Sequence, residues 1–471
     1  MMTLLDAAKA LPGAVLQGDP QTRFERVHTD TRSLRRGDLF VALKGERFDA
    51  NQFLAQARDN GAAAALCHPG SGLAQSGLSG LEIPDSKAAL GQLASAWRAR
   101  FSLPLIAVTG SNGKTTVTQM LASILHAWKG DAAFATQGNL NNDIGVPLTL
   151  LRLRASHTIA VLELGMNHPG EIARLAAMVR PTIALVNNAQ REHLEFMGSV
   201  QAVARENGAV LAALPADGVA VFPHGDAYSA EWRSLAGPRA QHSFQLAPAG
   251  ASTQGVRVAC ATPVWVDGAW VVRASTPAGP LQFALRIAGM HNVRNALAAA
   301  TCALAAAAPL DVIRAGLEAF DPVKGRSSAI PLRIGDTVHM LIDDSYNANP
   351  DSVAAALELL ASLPAPRLMV LGDMGEVGHE GEQFHSQAGV LADELGIERM
   401  FTHGELSAAA ARANQHARHF EDMPTLIAAV LEILPQVASV LVKGSRFMRM
   451  ERVVEAVTTS ASRQQDTTHA A

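Results

Sequence analysis

The chain has 471 residues, 48% of them hydrophobic and 17% charged, and 39 Lys and Arg against 43 Asp and Glu give a net charge of −4. That length predicts two to four domains with ample core, and the balanced charge excludes a broad nucleic-acid face or a polybasic membrane patch. The three cysteines, Cys67, Cys260 and Cys302, are odd in number and lack C-x-x-C spacing; this excludes a disulfide framework or zinc site and points to buried thiols in a reducing compartment.

The first residues carry no basic stretch followed by a long apolar core, and no run of about 18 apolar residues occurs, so a cytoplasmic protein is expected. Residues 1–84 read as a small mixed α/β domain, with a strand over 38–43 and a helix over 51–60. Within it Thr31, Arg32 and Ser33 offer hydroxyls and a guanidinium suited to a nucleotide or sugar.

From 85 to 320, strands alternate with helices, the pattern of a mostly parallel sheet with helices on both faces. The apolar run from Leu105 feeds into Thr109-Gly-Ser-Asn-Gly-Lys-Thr-Thr116, which opens a helix. This is a shortened phosphate loop, with Val108 where the longer pattern has its first glycine. Gly110 and Gly113 let the backbone turn and aim N–H groups of Ser111, Asn112 and their neighbours inward. Lys114 supplies charge for the β- and γ-phosphates of ATP; Thr115, followed by Thr116, places a hydroxyl for Mg²⁺.

Two further strands, over 158–162 and 182–186, end in Glu163 and in a segment containing His193. Ligands collect at the carboxyl ends of such strands, so both are expected beside the loop as Mg²⁺-site residues. Residues 246–287 read as an inserted β-meander around an Asp267-Gly268 turn. Asn292 and Asn295, three apart on one helical face, carry amides suited to an adenine edge.

The unit from 321 to 471 contains three strand-then-polar-loop segments, ending in 343–350, 372–376 and 443–445, and reads as a second doubly wound, Rossmann-like α/β domain. The segment 415–419 reads as a helix surface. A disordered tail is expected from about residue 460.

Together the loop 109–116, the Glu163-Leu-Gly-Met-Asn167 segment, His193, Gly289-Met-His-Asn-Val-Arg-Asn-Ala296 and Lys443-Gly-Ser445 resemble the ATP-dependent Mur ligases of peptidoglycan synthesis. The resemblance covers nearly the full chain and implies three domains, the middle one of P-loop type. Within the family, Gly138-Asn-Leu-Asn-Asn-Asp-Ile-Gly-Val-Pro147 and Asp344-Ser-Tyr-Asn-Ala-Asn-Pro350 resemble the branch that appends a terminal dipeptide. This implies UDP-N-acetylmuramoyl-tripeptide and D-alanyl-D-alanine as substrates, joined through an acyl phosphate by a monomeric enzyme. By the same resemblance Lys114, Glu163, His193 and Arg326 are catalytic, Arg326 reaching the γ-phosphate. Asn292 and Asn295 approach adenine, and Asp344 and Tyr346 the rest of the nucleotide. Asn141, Asn142, Asn347 and Asn349 face the peptide substrates, and Thr31 to Ser33 the UDP end.

One position departs from the family pattern: Asn207 stands where a lysine that becomes carbamoylated is expected, and Glu206 is its nearest carboxylate. Either Glu206 or the Asn207 carbonyl, acting through water, is expected to replace that negative field, with the rotation of about 100° between helical neighbours weighing against direct substitution by Glu206. Competing readings are another amino-acid-adding ligase of this superfamily, a folyl-polyglutamate synthase, or a mechanical ATPase. The last leaves Arg326 and the large third unit without a task.

Overall fold

The computed structural model describes the chain apart from residues 248–251, 261, 336 and 470–471 and the side chains of 463–469. Besides a two-stranded pairing of Met2–Thr3 with Arg23–Phe24, three larger sheets follow one another along the sequence. The first has five short strands in the order Val15–Gln17, Ser79–Glu82, Ala64–Cys67, Asp38–Val41, Arg26–His28, parallel except at the Val15–Gln17 edge. Its core runs into that of the middle domain through the helix Ser86–Arg98, whose Leu90, Leu93 and Trp97 lie in the same apolar cluster as Leu39, Leu66 and Leu162.

The middle sheet is built around Leu105–Thr109, flanked by Ile159–Glu163 on one side and Ile183–Val186 on the other, all parallel. All five positions of Leu105–Thr109 are buried, yet they alternate: Leu105 and Ala107 belong to one apolar cluster, Ile106 and Val108 to the other. A strand buried on both faces is what a parallel sheet covered by helices requires. Each aliphatic side chain so buried contributes roughly 1.5–3 kcal/mol, so the sheet holds its carboxyl edge, where the loops begin, in a fixed place. The helix Lys114–Lys129 packs on the second face against Leu310–Glu318. Gly316 permits this approach, since a Cβ there would lie 2.3 Å from the Ile124 Cα.

The described residues within 246–287 form the expected meander, Val264–Val266, Ala269–Thr276 and Gly279–Leu285 pairing antiparallel in succession, and it is continuous with the middle sheet. The strand Ala269–Thr276 pairs antiparallel with Val258–Cys260, and the hairpin thereby extends the parallel sheet at its edge. Asp267 and Gly268 make the expected turn, both with positive φ.

The third sheet runs Ser328–Ile334, Thr337–Asp344, Ser439–Lys443, Arg367–Gly372, Arg399–His403, Ala417–Phe420, antiparallel only at its first pair. Two expectations fail here. The segment 415–419 enters an edge strand, Ala417–Phe420, rather than a helix surface; the His419 ring meets the Thr402 hydroxyl on the neighbouring strand at 2.9 Å. The last helix, Glu451–His469, runs on into the stretch expected to be disordered, of which 470–471 lie outside the described residues; Val453, Val454, Val457 and Ala461 form a stripe that buries its first part against the third sheet.

Candidate active site

The carboxyl ends of the middle sheet and the first loops of the third domain enclose a cleft of about 1700 Å³. Gly110 and Gly113 have φ of 131° and 81°, as a tight left-handed turn requires. A Cβ at Gly113 would meet the Asn295 amide oxygen at 2.5 Å. The first three N–H groups of the loop are already satisfied: Gly110 donates to Asn207 Oδ1 at 2.9 Å, Ser111 to the Asn188 carbonyl at 3.1 Å and Asn112 to Asn188 Oδ1 at 2.8 Å. They shape the turn and do not face a ligand. The donors left for an anion are those at the start of the helix Lys114–Lys129, where the opening N–H groups have no helical acceptor.

Lys114 Nζ donates to the carbonyls of Gly110 and Ser111 at 2.5 and 3.0 Å and to Glu192 Oε1 at 2.6 Å. Beside it, Glu163 Oε1 accepts from the Thr115 hydroxyl at 3.1 Å and from Asn141 Nδ2 at 2.7 Å. Glu163 is 1% exposed, and its Oε2 has no partner among the described residues. Such an oxygen is costly to bury unpaired and suits a hard cation. Mg²⁺ characteristically takes one or two carboxylates, a hydroxyl and nucleotide phosphates rather than an all-protein cage. Thr115 and Glu163 therefore fit the expected metal role. Among the described residues no group of three His, Cys, Asp or Glu side chains is placed to hold a metal ion.

His193, in the left-handed region with φ of 50°, sets its Nδ1 against the Glu376 carboxylate of the third domain. That hydrogen bond holds the Glu376 carboxyl below its ordinary range. The other ring nitrogen of His193 lies 3.6 Å from Glu192 Oε1. Glu206 takes no part here: its carboxylate accepts from the N–H groups of Gly170 and Ile172, at the N-terminus of the helix Glu171–Val179. The expectation that it supplies a negative field to the cleft is thus corrected. Asn207 instead holds the loop through Gly110, and its carbonyl accepts from the Thr109 hydroxyl at 3.3 Å.

Asn292 and Asn295 are buried and joined to each other, Asn295 Nδ2 donating to Asn292 Oδ1 at 2.9 Å, while Asn187 Nδ2 bonds both Asn295 Oδ1 and the Asn112 carbonyl. They brace the loop as well as lining the cleft. From the third domain, Arg326 lies 4.1 Å over the Tyr346 ring and Arg446 5.5 Å from it, so that ring is shared by two guanidinium groups. Asp344 Oδ2 accepts from Lys443 Nζ at 2.6 Å and its Oδ1 from the Ser327 N–H at 3.0 Å. Asn349 caps the helix Pro350–Ala361 and also donates to Asn112 Oδ1 at 2.9 Å, tying that helix to the phosphate loop. Asn347 lines the cleft, as does Asn142, whose oxygen accepts from the Gly145 N–H at 2.8 Å.

Thr31, Arg32 and Ser33 are not among the cleft-lining residues. They form a short 3-10 turn on the first domain in which Arg32 pairs with Asp30, and Ser33 with His28. Glu192, Lys443, Glu376 and Arg446 are cleft residues that sequence reasoning did not assign. The one available signal was position: Lys443 ends a strand just before a glycine, and Glu192 precedes His193.

Residues 23–98 match the Mur ligase family catalytic domain, 108–303 the Mur ligase middle domain and 333–446 the Mur ligase glutamate ligase domain. The chain is 41% identical to the UDP-N-acetylmuramoyl-tripeptide--D-alanyl-D-alanine ligase of Escherichia coli (strain K12), over 94% of this chain and 95% of the relative. It is 33% identical to the ligase of the same name from Bacillus subtilis (strain 168), over 92% and 93%. A crystal structure of MurF from Acinetobacter baumannii superposes with a TM-score of 0.88 at 34% identity, covering 97% of this chain and 98% of that one. MurF ligase from Thermotoga maritima, solved in complex with ADP, shares the fold with a TM-score of 0.81 at 24% identity, over 95% and 100%. With this cleft, these three matched domains and such coverage, the chain belongs to the Mur ligase family and is of the MurF type.

Proposed function

We propose that the chain uses ATP to join D-alanyl-D-alanine to the terminal carboxylate of UDP-N-acetylmuramoyl-tripeptide, in cell-wall precursor synthesis. The observation that carries this is the convergence of Lys114, Thr115 and Glu163 from the middle domain with Arg326 and Lys443 from the third in one cleft. The substrate carboxylate attacks the γ-phosphorus, ADP leaves, and an acyl phosphate results. The dipeptide amine then attacks the acyl carbon, loses a proton, and phosphate departs as the amide forms. Negative charge crowds every species on that path, so fixed cations and N–H donors do most of the work.

Lys114 and the N-terminus of its helix bind the phosphates, and Arg326, released from Tyr346, neutralises the group in transfer. Mg²⁺, held by Thr115 and Glu163 with His193 nearby, would screen the phosphate charge and orient the γ-phosphate. Asn141 fixes the Glu163 rotamer. Asn292, Asn295, Asp344 and Tyr346 frame the nucleotide, with Asn142, Asn347 and Asn349 toward the peptide side. Thr31, Arg32 and Ser33 take the UDP end on the first domain. On this reading the enzyme works in the cytoplasm as a monomer; no helix among the described residues is long and apolar enough to cross a membrane.

An ADP-release assay against a panel of UDP-muramyl peptides and amines tests it. Release should require both a UDP-muramyl tripeptide and D-alanyl-D-alanine, with amide product in equal amount. Turnover with a single amino acid in place of the dipeptide would move the chain to another amino-acid-adding ligase. Release with neither substrate would make it a plain ATPase.

A further inference from the structure

We propose that Glu192 is a divalent-cation ligand, exchanging the Lys114 ammonium for a metal ion when a triphosphate enters the cleft; this rests on the reading of 109–116 as the triphosphate loop. Glu192 is 8% exposed and lines the cleft. Its Oε1 takes the 2.6 Å bond from Lys114, while its Oε2 is buried with no donor among the described residues.

The three protons of the Lys114 ammonium are all spent, two on carbonyls of its own loop and one on Glu192. To bind phosphate, Lys114 has to give one up. The Glu192 bond is the one that joins separate segments, the other two being to carbonyls of the loop itself. Once phosphate takes that proton, Glu192 loses its counter-charge as a polyanion arrives. Two oxygens that share one ammonium lie within about 5 Å of each other, so the carboxylate and the phosphate oxygen would face one another across a narrow gap.

A buried carboxylate in that position needs a cation, and the backbone that carries it is held in place. The Glu192 N–H is bonded to the Gln190 carbonyl at 2.8 Å, and His193 next to it is fixed in the left-handed region. Glu192 Oε2 would hold a hard divalent ion there, which would supply the missing positive charge beside the phosphate. The His193 ring nitrogen, 3.6 Å from Glu192, stands at the same spot.

Mn²⁺ binding by the full chain, followed by electron paramagnetic resonance in the presence of a non-hydrolysable ATP analogue, tests this. Glu192→Gln should weaken Mn²⁺ binding at least about tenfold or remove one equivalent, while binding of the analogue without metal tightens. Unchanged Mn²⁺ affinity and stoichiometry would overturn the proposal. So would tighter metal-free analogue binding alone, which would leave Glu192 as only a counter-ion for Lys114. If Glu192→Gln does not fold, Glu192→Asp keeps the charge with a shorter reach; several-fold weaker Mn²⁺ binding supports the proposal and unaltered binding refutes it. Failure of the unaltered chain to bind the analogue would sink the loop reading, and this inference with it.

Discussion

Lys114 and Glu192 show how a single pair can govern both stability and ligand entry. Their side chains are 13% and 11% exposed, so each charge depends on the other. Lys114→Met should therefore lower unfolding stability by about 3–5 kcal/mol, the usual cost of stranding one member of a buried pair. Adding Glu192→Gln should restore most of it, a coupling that urea unfolding of both variants would measure. If the double variant is no more stable than Lys114→Met, the pair is not coupled. His291 offers a pH test. Desolvation in the cleft wall pushes it down to about 4, against the pull of the Asp344 carboxylate. Its Nε2 is 3.1 Å from the Asn292 amide nitrogen, a contact that only the neutral ring can accept. The folded chain thus binds fewer protons than the unfolded one between about pH 6.5 and 4. Stability is full above that window and falls as acid is added through it. Thermal midpoints should decline less steeply for His291→Gln over that range, and identical acid limbs would refute the assignment. Lys114 and Glu163 were legible in the sequence because each is bound to a local signature, a glycine turn or the end of an apolar strand. The pairings of Glu192 and Lys443 were not, because their partners lie 78 and 99 residues away and only the fold brings them together.

At the level of elements, Asn207 couples the helix Val200–Ala212 to the loop by holding the Gly110 N–H and receiving the Thr109 hydroxyl. Asn207→Ala leaves a buried N–H unpaired. It should cost about 1–3 kcal/mol in urea unfolding and weaken nucleotide binding, because the loop loses the anchor of its first residue. Asn207→Ala with unaltered nucleotide affinity would show that the loop holds its shape without this helix. The same contact was not legible: seen in sequence, Asn207 is a missing lysine, and nothing in the letters says what the amide gained. The doubly wound sheets were readable because their central strands are apolar runs closed by polar loops. The edges were not. Ala417–Phe420 is four residues long, too short for alternation to declare itself, and the last helix hides its apolar stripe among Ser, Thr and Gln.

The whole molecule is organised by how the third domain sits over the loop, and three of the polar contacts that help carry that placement are Asn349 on Asn112, Glu376 on His193, and a two-pronged pairing of Arg191 with Asp351. None of these could be read from local pattern, since each joins a loop of the middle domain to the start of a third-domain helix or strand loop. All three involve or adjoin phosphate-side residues, so domain placement and nucleotide occupancy should be linked, with closure keeping water from the acyl phosphate. Arg191 and Asp351 are partly exposed, 32% and 25%, and the paired geometry is worth about 1 kcal/mol. Asp351→Ala should then shift the domains toward an open arrangement without unfolding either. In small-angle scattering the nucleotide-free variant should show a larger radius of gyration than the unaltered chain, with an ATP analogue and the peptide substrate together restoring the compact value. Since about 1 kcal/mol corresponds to roughly fivefold, kcat/KM should fall by a similar factor while the thermal midpoint moves little. A variant as compact as the unaltered chain, and as active, would mean that the third domain is held by other contacts and that this ion pair is incidental.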